Sequence, residues 1–242
     1  MGLFSSEGVV LRARPQRERD RLVTVFSPDY GRMNLLAPGA MRPGSRFGSA
    51  LELGAILSFD AFQSTPDSLA RLSAARASSA MVRPREDLPA FAHLSLLLEF
   101  VAELTAGSEP EPVYRALRVE LARLERDGEN EVALLGFLLR LLAHVGHAPE
   151  TRVCVRCRQP LTLAGWSPAD GGMLGPCCGA RAPHIPPGTL AALRGQPVTR
   201  GDARAALAML IPFVQRQLEH NLRAWPYYRD GAAVVEAVVG DV

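Results

Sequence analysis

Two groups of side chains in this chain can do chemistry: a cysteine cluster and an arginine-rich stretch. The four cysteines fall at Cys154-Val-Arg-Cys157 and, after 19 further residues, at Cys177-Cys178. A Cys-x-x-Cys turn places two thiolates about 3.5–4 Å apart on one side of a zinc ion. The intervening LAGWSPADGGML reads as the hairpin of a zinc ribbon. The expected ligands are therefore Cys154, Cys157, Cys177 and Cys178, and the expected cofactor is a structural Zn(2+). An adjacent pair both ligates only if the backbone bends sharply, which Pro176 and Gly179 allow. The alternative leaves one of the pair free and lets His184 complete the shell. Four closed ligands leave no position for water, so such an ion does no hydrolysis. A redox role lacks the βαβ context that it needs.

The second group lies between Arg12 and Arg46. It holds eight arginines (Arg12, Arg14, Arg17, Arg19, Arg21, Arg32, Arg42 and Arg46) against Glu18, Asp20 and Asp29. Some flank alternating apolar runs (LVTVF, RMNLLA), and others sit in loops broken by Pro and Gly (RPQRERDR, MRPGSR). Strands hold a surface still while loops present charge, so the stretch reads as a platform for a polyanion, with these eight residues as the candidates to bind it. The competing reading is a solvated surface neutralised by local ion pairs, and it applies best to residues 17–21. Tyr30 and Phe47, in or beside loops, are expected to stack on bases, and Phe26 to belong to the core.

Other chemistry is absent by pattern. No Ser-His-Asp constellation, nucleophile elbow, phosphate-binding glycine loop or paired carboxylates in a cleft can be read, so no catalytic residue is expected. All 27 basic residues are arginine, which excludes a Walker lysine or a Schiff base. It also makes every phosphate contact a planar fork donor. His144 and His147 read as caps of a helix C-terminus, and His93 and His220 as surface or interface residues.

Residues 7–14, 21–27, 32–37, 51–63 and 68–81 read as five short strands, the last also compatible with a helix. SPDYG (27–31) closes a hairpin. Five strands in about 80 residues fit a small closed barrel, of which the OB-fold is the expected type. RPREDLP (83–89) marks a boundary. Helices are expected at 90–107, 109–128, 130–146, 186–195 and 201–224, with an undecided short element at 232–240. The fold class is thus α+β and multidomain: an OB-fold barrel (1–82), a helical bundle domain (83–149 and 183–242) and an inserted zinc ribbon (150–182).

At 242 residues and 48% apolar content the chain can bury more than one core. Charge is uneven: residues 1–85 carry 12 Arg and 7 acids, and residues 86–242 carry 15 Arg and 18 acids. The halves should meet different partners. No run of 18 apolar residues is present, and MGLFSSEGVV does not read as a signal peptide or a lipidation site. A soluble cytoplasmic protein, nucleoid-associated and without membrane contact, is expected.

RERDRLVTVFSPDYGRMNLLAPGAMRPGSRFGSALELG (17–54) and LLGFLLRLLAHVGHAPETRVCVRC (134–157), with Gly171-Gly172 before the late cysteines, resemble the two signatures of the bacterial RecO family of DNA repair and recombination mediators. The resemblance implies an OB-fold, a helical domain and an inserted zinc ribbon. It implies binding of single- and double-stranded DNA, annealing of complementary strands, and work with RecR to load a recombinase on DNA coated by single-strand DNA-binding protein. The chain departs from the family at the second knuckle, where Cys177-Cys178 stands in place of a second Cys-x-x-Cys. Three other readings compete: a scaffold docking an acidic partner tail without binding DNA, an RNA-binding factor on the same barrel, and a zinc hydrolase.

Overall fold

The computed structural model describes residues 2–65, 68–161, 165–179 and 184–230. The chain divides into two compact units, residues 1–129 with 226 onward, and residues 130–225. The short element expected at 232–240 lies outside the described residues.

The first unit begins with five strands: β1 (Leu3–Gln16), β2 (Asp20–Ser27), β3 (Gly31–Ala37), β4 (Ile56–Phe62) and β5 (Ala70–Ser79). They pair in a closed ring of order β1-β2-β3-β5-β4, antiparallel except between β3 and β5. Alternation drives it: Val23 and Val25, Leu35 and Ala37, Leu57 and Phe59, and Ala70 and Leu72 all point into one core. β1 serves two partners, β4 through its first half and β2 through its second, and Val9 is paired to both Phe26 and Ile56. At this crossing a Cβ on Gly8 would stand 2.3 Å from Val25 Cγ1, so only glycine lets the strands approach. Leu11 is the extra residue of a bulge that re-aims the second half of β1.

The structure revises several expectations for this unit. RPQRERDR is no loop: β1 runs through Pro15 to Gln16, and only residues 17–19 turn, with Arg17 at φ 63°. Pro15 is tolerated because this end of β1 pairs on one side only, with β2. Residues 51–55 are not strand. A single-turn 3₁₀ helix (Gly48–Leu51) and a turn with Gly54 at φ 77° drop Phe47 and Leu51 into the ring. Phe47, expected to face bases, is therefore core. The Ala-rich 68–81 stretch is strand, because pairing with β3 and β4 overrides its helical propensity.

Three helices follow in the same unit: α1 (Arg83–Glu86), α2 (Leu88–Leu104) and α3 (Pro110–Asp127). The Asp87 side chain accepts from Ala90 N at 3.1 Å and caps α2. Gly128, at φ 82°, ends α3 by donating to Leu124 O. The α3 stripe Val113, Leu117, Leu121 and Leu124 is buried as its spacing required. His93 is not a surface residue: it is fully buried in α2, with its ring edge-on to Tyr228 at 6.0 Å.

The second unit holds α4 (Glu131–His144), the two short strands β6 (Gly165–Ser167) and β7 (Gly172–Leu174), α5 (Pro187–Leu193) and α6 (Arg200–Leu218). Asn130 caps α4, and Thr199 with Asp202 forms a capping box on α6. Glu131, nearly fully buried, accepts from Arg200 Nε at 2.7 Å and Arg204 Nη2 at 2.8 Å, which staples the start of α4 to the start of α6. Burial by itself raises the Glu131 carboxyl, but the two guanidinium groups outweigh it and hold the group below the ordinary range. A carboxylate depressed in the folded state contributes stability above its unfolded pKa, and that contribution fades as pH falls through the folded value. Both arginines remain partly in water, so the staple is discounted to about 1–3 kcal/mol. We expect Glu131→Gln to lower the unfolding temperature at pH 7 by several degrees, with a smaller difference from wild type at pH 3. An equal deficit at both pH values in calorimetry would contradict the ionic account.

Candidate nucleic-acid interface and metal centre

The ring sorts the eight candidate arginines into two groups. Arg12 pairs with Glu103 and, at 4.0 Å, with Glu99, both on α2. Arg32 donates from Nη1 to the carbonyl of Ala102, also on α2. Arg21 lies in register with buried Ala37, facing the interior side, and pairs with Glu52 at 3.1 Å. These three fasten α2 and the 48–55 segment to the ring. Within residues 17–21 Arg21 pairs with a carboxylate, and that carboxylate, Glu52, lies outside the stretch.

Arg14, Arg17, Arg19, Arg42 and Arg46 are exposed. None makes an ion pair with a carboxylate among the described residues. Two loops bring most of them to one end of the ring. Met41 N donates to Arg19 O at 3.0 Å, and Gly39 N donates to the Asp20 carboxylate at 2.8 Å. The β1–β2 turn and the loop after β3 are thereby tied together, and Arg17, Arg19 and Arg42 share that end. The guanidinium carbon of Arg46 lies over the Phe47 ring at 4.9 Å, a cation–π contact, and the residue remains exposed. Tyr30 stays half exposed and stands edge-on to Phe4 at 5.1 Å.

Sequence reading missed two basic residues of the ring, Arg71 and Arg76 on β5. Both are exposed. They sat in a stretch of undecided structure, and alternation turns both outward only because the β4–β5 register shifts between Leu72 and Ala74.

The cysteines converge in the second unit. The first knuckle is a tight loop in which Arg158 N donates to Cys154 O at 2.9 Å and Cys154 N to Gln159 O at 2.9 Å. In the second, Cys178 N and Gly179 N both donate to Gly175 O. The sharp bend needed by adjacent cysteines is thus present. Residue Glu150 lies alongside β7, and a Cβ on Gly172 would stand 2.4 Å from its carbonyl, so that close approach requires glycine. Trp166 of β6 packs edge-on to Phe213 of α6 at 6.1 Å.

The sulfurs of Cys154, Cys157 and Cys178 lie within 4.8 Å of one another, a group that could hold a metal ion. Cys177, expected as a fourth ligand, is not in that mutually close group, although its Sγ stands 3.3 Å from Cys157 Sγ and 3.6 Å from Cys178 Sγ. Zn–S bonds of about 2.3 Å set tetrahedral S–S edges near 3.8 Å, so three sulfurs within 4.8 Å are compatible with a sulfur-bound dication. Amides of Cys157 and Gly175 hold the Cys154 thiol down to about 6, whereas the Cys177 and Cys157 sulfurs push Cys178 up to about 12. One thiolate is easy and the next are resisted, the electrostatics that a bound cation relieves. His184 is exposed and outside this group; its backbone bridges Gly165. Arg156 forms a two-pronged pair with Asp170 at 2.9 Å, and Arg158 pairs with Glu150 at 3.5 Å, so these side chains tie the Cys154–Cys157 loop to the β6–β7 turn and to Glu150.

Comparison with known proteins agrees with this architecture. Residues 1–81 match the family model described as recombination protein O N terminal, and residues 85–226 match recombination protein O C terminal. The chain is 31% identical to the DNA repair protein RecO of Myxococcus xanthus, over 86% of this chain and 85% of that one. It is 29% identical to that of Cutibacterium acnes (93% and 98% covered) and 27% identical to that of Heliobacterium modesticaldum (93% and 89%). With both family models matched in order along one chain, the protein belongs to the recombination protein O (RecO) family.

Proposed function

We propose that this protein is a DNA-binding, strand-annealing mediator of DNA repair and recombination. On this reading it works in the cytoplasm with RecR to load a recombinase on DNA coated by single-strand DNA-binding protein. The observation that carries the DNA-binding part is the exposed group Arg14, Arg17, Arg19, Arg42 and Arg46, left without carboxylate partners while Arg12, Arg21 and Arg32 are consumed by the fold. Annealing needs charge neutralisation on two strands with base edges left open, and unpaired guanidinium groups on a rigid ring meet that need. We read the ring as an OB-type barrel, since its order β1-β2-β3-β5-β4, with β1 shared between β2 and β4, suits that topology. The relatives carry the name DNA repair protein, which supports the process. No covalent step is required, so the role is that of a binder, not an enzyme. No helix among the described residues is long and apolar enough to cross a membrane.

We assign Cys154, Cys157, Cys177 and Cys178 to one structural zinc ion, which would fix the two knuckles against each other. The assignment keeps residues 150–182 as a zinc-ribbon insertion within a helical domain (83–149 and 183–242) that follows the barrel (1–82). The purified protein should contain about one zinc per chain. Cys154→Ser should release it and lower the unfolding temperature of the second unit. Zinc content unchanged by that substitution, measured by atomic emission, would remove the assignment.

Annealing of complementary oligonucleotides tests the function. Combined Arg17→Gln, Arg19→Gln and Arg42→Gln should slow annealing at least tenfold with an unchanged unfolding temperature. Arg32→Gln should do the reverse, lowering stability by about 1 kcal/mol with a smaller effect on annealing. If the triple variant anneals as wild type does, the loop arginines are not the contact.

A further inference from the structure

The strand register carries a consequence for the path of the nucleic acid, and it rests on the DNA-binding reading above. Arg14 pairs with Leu22, Leu22 with Leu36, Leu36 with Arg71, Arg71 with Phe62, and Phe62 with Leu3. Directly paired residues project to the same face of a sheet. Leu35 and Ala70, one position earlier, are buried in the core, so this row points outward. It runs without a break because it crosses the β3–β5 closure.

Its chemistry alternates. Arg14 and Arg71 are exposed cations, three strand steps or about 14 Å apart measured along the curved surface of the ring. Between them lie the half-buried Leu22 and Leu36. Beyond Arg71 stand Phe62, 46% exposed, and Leu3, 70% exposed. A large aromatic left in water beside a guanidinium with no carboxylate partner among the described residues fits neither a core nor a solvated face. A single strand of DNA matches it, with phosphates for the arginines and unstacked bases for the apolar surface. A duplex hides its base faces and can use the arginines alone.

We propose that single-stranded DNA crosses the ring along this row, with Arg71 holding a phosphate and Phe62 stacking on a base. The interface then extends beyond the basic stretch of residues 12–46, onto β4 and β5. Binding of a fluorescein-labelled oligothymidylate to the full chain, read by anisotropy, tests the path. Arg71→Gln should weaken binding about three- to tenfold, and Phe62→Ala roughly tenfold. Phe62→Ala should leave affinity for a blunt duplex unchanged. Phe62→Trp should keep the affinity, and its added fluorescence should be quenched by the oligonucleotide. Unchanged single-strand affinity in Arg71→Gln and Phe62→Ala, with no quenching in Phe62→Trp, overturns the path. If Arg17→Gln with Arg42→Gln weakens binding in the same series, that result leaves the DNA-binding reading standing, confined to the loops. A wild-type protein that binds no oligonucleotide overturns both.

Discussion

The β3–β5 pairing is the joint on which the molecule turns. Only Leu35 with Ala70 and Leu36 with Arg71 join these strands, and in parallel. Without those pairs β3 and β5 would each present an unpaired edge, and the sheet would open. Closure forces two outcomes together. It buries Val23, Leu35, Leu57 and Leu72 in one core, and it turns the alternate residues outward as a fixed surface. The loops that carry Arg17, Arg19 and Arg42 are anchored at the ends of the ring's strands and tied to each other.

The same ring decides which charges remain available. A guanidinium held by a carboxylate has most of its fork occupied, and a phosphate must compete for it. Glu99 and Glu103 on α2 and Glu52 beyond the 3₁₀ turn take Arg12 and Arg21, and the end of α2 takes Arg32 through a main-chain carbonyl. The basic stretch therefore does two jobs. Part of it binds the protein to itself, and the part at the β1–β2 turn and the following loop faces solvent. Met41 donating to the Arg19 carbonyl joins those two segments across the end of the ring.

Much of this was legible from residues alone. Alternation in LVTVF and RMNLLA located β2 and β3, the 3.6-residue stripe of Val113, Leu117, Leu121 and Leu124 located α3, and the cysteine spacing located a cluster that could hold a metal ion. What was not legible depended on long-range pairing. Arg12 sees Glu103 across 91 positions of sequence, so local charge counting could not pair them. Phe47 reads as a loop aromatic until the 3₁₀ turn carries it inward. Arg71 and Arg76 lie in an Ala-rich run whose propensity is helical, and only pairing with β3 and β4 makes them strand residues. His93 looks solitary in sequence, and its burial against Tyr228 comes from packing between residues 135 positions apart.

The central claim is that an electrostatic face made of unpaired arginines, and not the total basic content, grips the sugar-phosphate chain. The dependence of oligonucleotide affinity on salt measures it directly, because each phosphate neutralised releases counterions. Five to seven available arginines predict a slope of log affinity against log salt between about −3 and −5 for a single strand. A slope near zero, with tight binding retained at high salt, would contradict the account.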